Sequence, residues 1–209
     1  QPQRGDMLLH VGEPVVEAFS IGGSLARGNA NSVALAGAAS TNTVNNDTEA
    51  FIQGSTVVST AGGVNLKADD GTRVFSQAGA VSVAWKQSGT TSTATRTVSA
   101  SVGVSVALNE IGADAGNRVL AFIDNATVTA QGDINAIATV SGKYHALGVG
   151  GSVSAAPGGP TANTSLAGAA AGSYASGVVS TSVKAYIDEA STVAASVGAI
   201  SVVAEVLTS

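Results

Sequence analysis

Ala121-Phe122-Ile123-Asp124-Asn125-Ala126-Thr127-Val128-Thr129-Ala130 opens with a four-residue phrase, Ala-aromatic-Ile-polar, that the chain uses three times. Ala50-Phe51-Ile52-Gln53 and Ala185-Tyr186-Ile187-Asp188 are the other copies, and the three starts lie 71 and then 64 residues apart. Repetition at a long fixed period marks a fold in which each unit covers the next.

The likeness extends on both sides of the phrase. A short Thr/Val segment follows each copy: Ser55-Thr56-Val57-Val58, Ala126-Thr127-Val128-Thr129 and Ser191-Thr192-Val193. Next comes a glycine and an alternating stretch, starting at Gly63, Gly132 and Gly198. From the first Ala to the Ala that ends this stretch is 17 to 19 residues, the length expected of one coil of a parallel β-helix.

A looser Gly/Ala/Ser/Val half completes each unit, as in Ile21-Gly22-Gly23-Ser24-Leu25 and Gly148-Val149-Gly150-Gly151-Ser152-Val153. Between Val98 and Leu108 the even positions are Val, Ala, Val, Val, Val, Leu and the odd ones Ser, Ser, Gly, Ser, Ala. A period of two is a strand signal, and the apolar face is expected to be the buried one. Ala167–Ala175 is rich enough in alanine to compete as a helix. Its glycines and serines, and its match to strand-like copies, favour strand. The segments 155–160 and 111–117 are expected to be loops at coil corners.

Composition agrees. The chain has 26 glycines, 44% hydrophobic and 4% aromatic residues, and only 11% charged residues against about 25% in an ordinary domain. Val and Thr suit a pleated surface and Gly disfavours helix interiors. The expected fold is all-β, a parallel β-helix (β-solenoid) of roughly 64–71-residue repeats, divided as 1–49 (partial), 50–120, 121–184 and 185–209 (partial).

A formal charge of −5 with nine scattered basic residues excludes a nucleic-acid groove, which needs clustered cations. Without cysteine there is neither a disulfide frame nor a thiolate metal site. No apolar run approaches 18 residues, so no transmembrane helix and no membrane insertion are expected. The polar start Gln1-Pro2-Gln3-Arg4 is not a signal peptide.

The stretches 37–52 and 121–130 resemble the repeats of very large bacterial filamentous-haemagglutinin and leukotoxin-type exoproteins, and the resemblance covers essentially the whole chain. It implies a right-handed parallel β-helix, export to the bacterial cell surface, and a structural or adhesive role. It supplies no catalytic residue. Flanking repeats of the same protein or end-to-end self-association are the expected partners, with a host-cell or glycan receptor as a further candidate.

The search for chemistry yields little. His10 and His145 stand far apart with no matched carboxylates, and Asp69-Asp70-Gly71 suits a turn. Gly132-Asp133 offers one carboxylate where calcium takes about six to eight oxygens, so neither a metal nor a cofactor is expected. Gln53, Asp124 and Asp188 recur at one position, as a polar residue ending a strand would. Arg4-Gly5-Asp6 is the tripeptide that integrins recognise and is the one candidate binding motif. Thr91, Thr93, Thr95 and Thr97 could line a strand face, which keeps an ice- or glycan-binding solenoid as an alternative. A polysaccharide-degrading β-helix is another, but it needs clustered acids or bases that near-identical repeats do not supply.

The expectation is thus a non-enzymatic scaffold. Phe51, Phe122 and Tyr186 should stack as one internal or groove-lining column, with Ile52, Ile123 and Ile187 pointing oppositely, because neighbouring strand residues alternate faces.

Overall fold

The computed structural model describes residues 14–28, 31–86, 96–112, 116–157, 164–188 and 190–207. Among the described residues, fifteen strands form three coils of five. The first coil holds β1 (Val15–Gly28), β2 (Asn31–Val44), β3 (Asp47–Gln53), β4 (Thr56–Ser59) and β5 (Val64–Asp70). The second repeats the order with β6 (Arg73–Lys86), β7 (Arg96–Ile111), β8 (Asn117–Asp124), β9 (Thr127–Ala130) and β10 (Ile134–Val140). The third has β11 (Lys143–Ala155), β12 (Thr164–Val179), β13 (Thr181–Ile187), β14 (Thr192–Ala195) and β15 (Ile200–Val206).

Equivalent strands of successive coils pair in parallel, giving five three-stranded sheets: β1-β6-β11, β2-β7-β12, β3-β8-β13, β4-β9-β14 and β5-β10-β15. This is a parallel β-solenoid. No helix occurs among the described residues, and Ala167–Ala175 lies within strand β12.

Each coil takes up the whole repeat. The 17–19-residue segment expected to be a coil is instead the run of three short strands, from β3 to β5 and its equivalents. Those strands surround one narrow core. Ile123, Val128, Ala130 and Ile134 are buried in it with Ile52, Val57, Ile187 and Val193 packed against them. Val119, Ala121, Ala136, Ala138 and Val140 continue it, flanked by Ala50 and Ala185. Burying each Val or Ile contributes roughly 1.5 to 3 kcal/mol before entropy is subtracted. The corner between the third and fourth strands needs a left-handed residue, and Gly54 (φ 59°) and Asn125 (φ 46°) supply it in successive coils.

The two long strands of each coil form an arm, β1-β6-β11 packed face to face on β2-β7-β12. Here the expected orientation is reversed. In β7 the buried residues are Ser99, Ser101, Gly103, Ser105, Ala107 and Asn109, while Val98, Val102 and Val104 face out. Strand β6 agrees: Ser76, Ala78, Ala80, Ser82 and Ala84 are buried, and Val81 and Trp85 are exposed.

Close approach of the two sheets is the cause. A β-carbon on Gly22 would fall on the carbonyl oxygen of Gly37, one on Gly103 on that of Gly151, and one on Gly150 on that of Gly172. No branched side chain fits between them. Side chains that do fit bond across: Ser40 Oγ donates to Ala18 O (2.8 Å), Ser76 Oγ to Ser40 O (2.9 Å) and Ser99 Oγ to Ala84 O (3.0 Å). Asn42 Nδ2 donates to Phe75 O (2.7 Å) and to Asn109 Oδ1 (3.1 Å), and Asn109 Nδ2 donates to His145 O (2.6 Å). The arm is a polar, small-residue seam inside an apolar skin.

Candidate interaction surfaces

The three Ala-aromatic-Ile copies sit in register, Ala50 beside Ala121 beside Ala185. Phe51, Phe122 and Tyr186 form a column on the outer face, with ring centroids 5.3 and 5.2 Å apart and planes within 11° and 4° of parallel. Ile52, Ile123 and Ile187 point into the core. Stacking in the column covers ring faces with other rings, and Phe122 is only 9% exposed. The column holds successive coils in register, and its end members Phe51 and Tyr186 stay 51% and 38% exposed.

Next to the column is a row of charge. Arg118 donates from Nε to Asp47 Oδ1 (3.0 Å) and from Nη2 to Asp47 Oδ2 (2.7 Å), with Glu49 at 3.6 Å. The hydrogen bonds from Arg118 hold the Asp47 carboxyl below the usual carboxylate range, and the same bonds raise Arg118. Both groups are exposed to solvent, where salt screens such a pair. A cleft of about 700 Å³ lies here, lined by Arg118, Leu120, Lys184, Tyr186 and Ala204 among others.

A second cleft, about 690 Å³, opens where the arm joins the core, between Tyr144, His145, Val179, Thr181 and Leu207. Tyr144 Oη and Thr181 Oγ1 are buried there without a hydrogen-bond partner among the described residues. Burial first, and then the nearby Asp70 carboxylate, push the Tyr144 phenol up from its ordinary value. Asp70 itself accepts from Thr72 N (3.0 Å) and Thr72 Oγ1, which closes the turn into β6.

A further unusual surface is the arm's apolar skin. On the β1-β6-β11 face Phe19, Ile21 and Leu25 are 70%, 72% and 78% exposed, and in the central strand Val81 and Trp85 are 54% and 50% exposed. The β2-β7-β12 face shows Leu35, Val104, Leu166 and Tyr174. Contiguous apolar patches of this kind mark interaction sites.

The remaining polar residues singled out in the sequence have structural surroundings. Gln53 Nε2 donates to Asp124 Oδ2 (2.6 Å), Asp133 Oδ1 accepts from Ala199 N (2.8 Å), and His145 stacks on Phe75 at 5.5 Å. Among the described residues no three His, Cys, Asp or Glu side chains converge to hold a metal. Arg4, Gly5 and Asp6, along with His10 and Thr91, Thr93 and Thr95, lie outside the described residues.

Sequence reasoning missed the arm's skin, although a signal was present. From Val98 to Leu108 the residues between the apolar ones carry no charge at all. A strand face that meets water ordinarily carries Lys, Glu or Asp. Comparison with family models, with curated proteins and with solved structures returned no match.

Proposed function

We propose that the chain is a non-catalytic, structural and adhesive β-solenoid segment of a giant extracellular bacterial surface protein or filament. The observation that carries this reading is the unbroken register of three coils, in which all five strands of one coil pair with their equivalents in the next. Such stacking builds stability by layers and confers no special place along the axis for a reaction. Exposed strand rows on the first and third coils match in length those paired inside, as β5, β10 and β15 do at seven residues each. They suit flanking coils or end-to-end association of copies.

Electron microscopy of the intact parent protein tests the scaffold reading, and a continuous filament with a coil repeat is the expected image. Saturable binding to cells or glycans tests the adhesive part. Turnover of a polysaccharide that a single substitution abolishes would overturn the non-catalytic assignment.

A further inference from the structure

The outer face of β1-β6-β11 is a grid set by strand register. Reading across β1, β6 and β11, the rows are Glu17–Phe75–His145, Phe19–Gln77–Leu147, Ile21–Gly79–Val149, Gly23–Val81–Gly151, Leu25–Val83–Val153 and Arg27–Trp85–Ala155. The two middle rows form a checkerboard. Where one has Ile, Gly, Val the next has Gly, Val, Gly.

We propose that this face is a homodimer interface, in which two copies pack face to face with antiparallel strands about a two-fold axis crossing the strands between the two middle rows. In that arrangement each strand faces its own equivalent with the rows reversed. Ile21 then meets the partner copy's row of Gly23, Val81 meets that of Gly79, and Val149 meets that of Gly151, so every large side chain of the two middle rows enters a glycine notch, while Phe19 packs on Leu25 and Leu147 on Val153. The outermost rows bring Glu17 opposite Arg27 twice, as an isologous contact requires. The parallel alternative places β1 over β11 on the same row. It sets Gly23 over Gly151 and Val81 over itself, leaving voids beside clashes.

Size agrees with a dimer. The exposed apolar side chains of this face present on the order of 800 Å², about one partner's share of a standard interface. A lipid surface is a poorer occupant, because the outer edges of β1 and β11 would leave backbone groups unpaired in hydrocarbon. The pairing is lateral, so it is separate from growth of coils along the axis.

The absence of cysteine makes the test direct. A mixture of Ile21→Cys and Gly23→Cys chains should form disulfide-linked dimers about tenfold faster than either variant alone. Gly23 has ordinary space for a β-carbon, so that variant folds. In sedimentation velocity the wild type should dimerise and Val81→Asp should be monomeric with unchanged melting. Glu17→Arg and Arg27→Glu should each weaken the dimer about tenfold, and together restore it. A wild type that stays monomeric at all concentrations, self-cross-linking of Gly23→Cys as fast as the mixture, or failure of the charge swap to rescue overturns the proposal. End-on oligomers that survive Val81→Asp separate this interface from coil-on-coil association.

Discussion

Gly103 of β7 lies against the backbone of Gly151 in β11, with the carbonyl of Ala80 also close by. Neither sheet can retreat without breaking the Ser and Asn bonds that cross the seam. Gly103→Val should therefore cost about 3 kcal/mol or more, as overpacking does, and lower the melting temperature sharply. Its neighbour Val104 points outward and is 46% exposed. Val104→Thr should stay within about 0.5 kcal/mol of the parent. Equal losses at the two positions would show that the arm is not turned inside out.

Ile123 is fully buried at the centre of the core, between Ile52 and Ile187 in the adjoining coils. Ile123→Val should cost about 0.5 to 1.5 kcal/mol in chemical denaturation. Ile123→Asp places a carboxylate in the same site and should prevent cooperative folding near neutral pH. An unchanged thermal melt for the Asp variant would refute the stacking register.

Asn109 joins both sheets and all three coils, accepting from Asn42 and donating to the His145 carbonyl. Asn109→Ala leaves those partners unsatisfied in a buried seam, and about 1 to 3 kcal/mol should be lost. Asn109→Asp replaces the donor to His145 with an oxygen. It should destabilise more at neutral pH than in acid, where protonation restores a donor, and urea titrations at two pH values would measure the difference.

Tyr144 gives a pH dependence with a definite sign. Burial and Asp70 raise its folded-state pKa above the ordinary tyrosine value of about 10. Below that value the phenol is protonated in both states and its contribution to stability is fully present. As pH climbs, the unfolded chain loses its proton first, and the contribution is lost as pH passes through the folded pKa. Tyr144→Phe should flatten this alkaline limb of the stability curve while changing neutral stability little, since the hydroxyl has no partner among the described residues.

The core was legible because its code is simple. Each coil turns the Ile of its Ala-aromatic-Ile phrase to the interior, and the outward aromatic beside it stacks on its own copy, so Phe51, Phe122 and Tyr186 disclose the register to anyone who aligns them. The arm was harder. Alternation from Val98 to Leu108 establishes two faces but does not say which is inside, and the usual assignment of apolar residues to the core fails where backbones touch. The decisive residues were the glycines and serines, whose lack of bulk permits an approach that Val forbids. The extent of a coil was hidden for a related reason: the backbones of β1 and β2 pair with β6 and β7 of the next coil, not with each other, so no local hairpin signal marks the arm.

One coil of this solenoid needs roughly 70 residues to advance by a single strand spacing, about 4.8 Å, whereas repeats near 20 residues achieve the same rise. The surplus goes into girth: β1 and β6 each run 14 residues, about 46 Å, across a stack only three strands deep. Tearing one layer from the next means opening ladders in five sheets at once. A plank built this way resists peeling, and it offers broad flanks on which neighbours can be laid side by side.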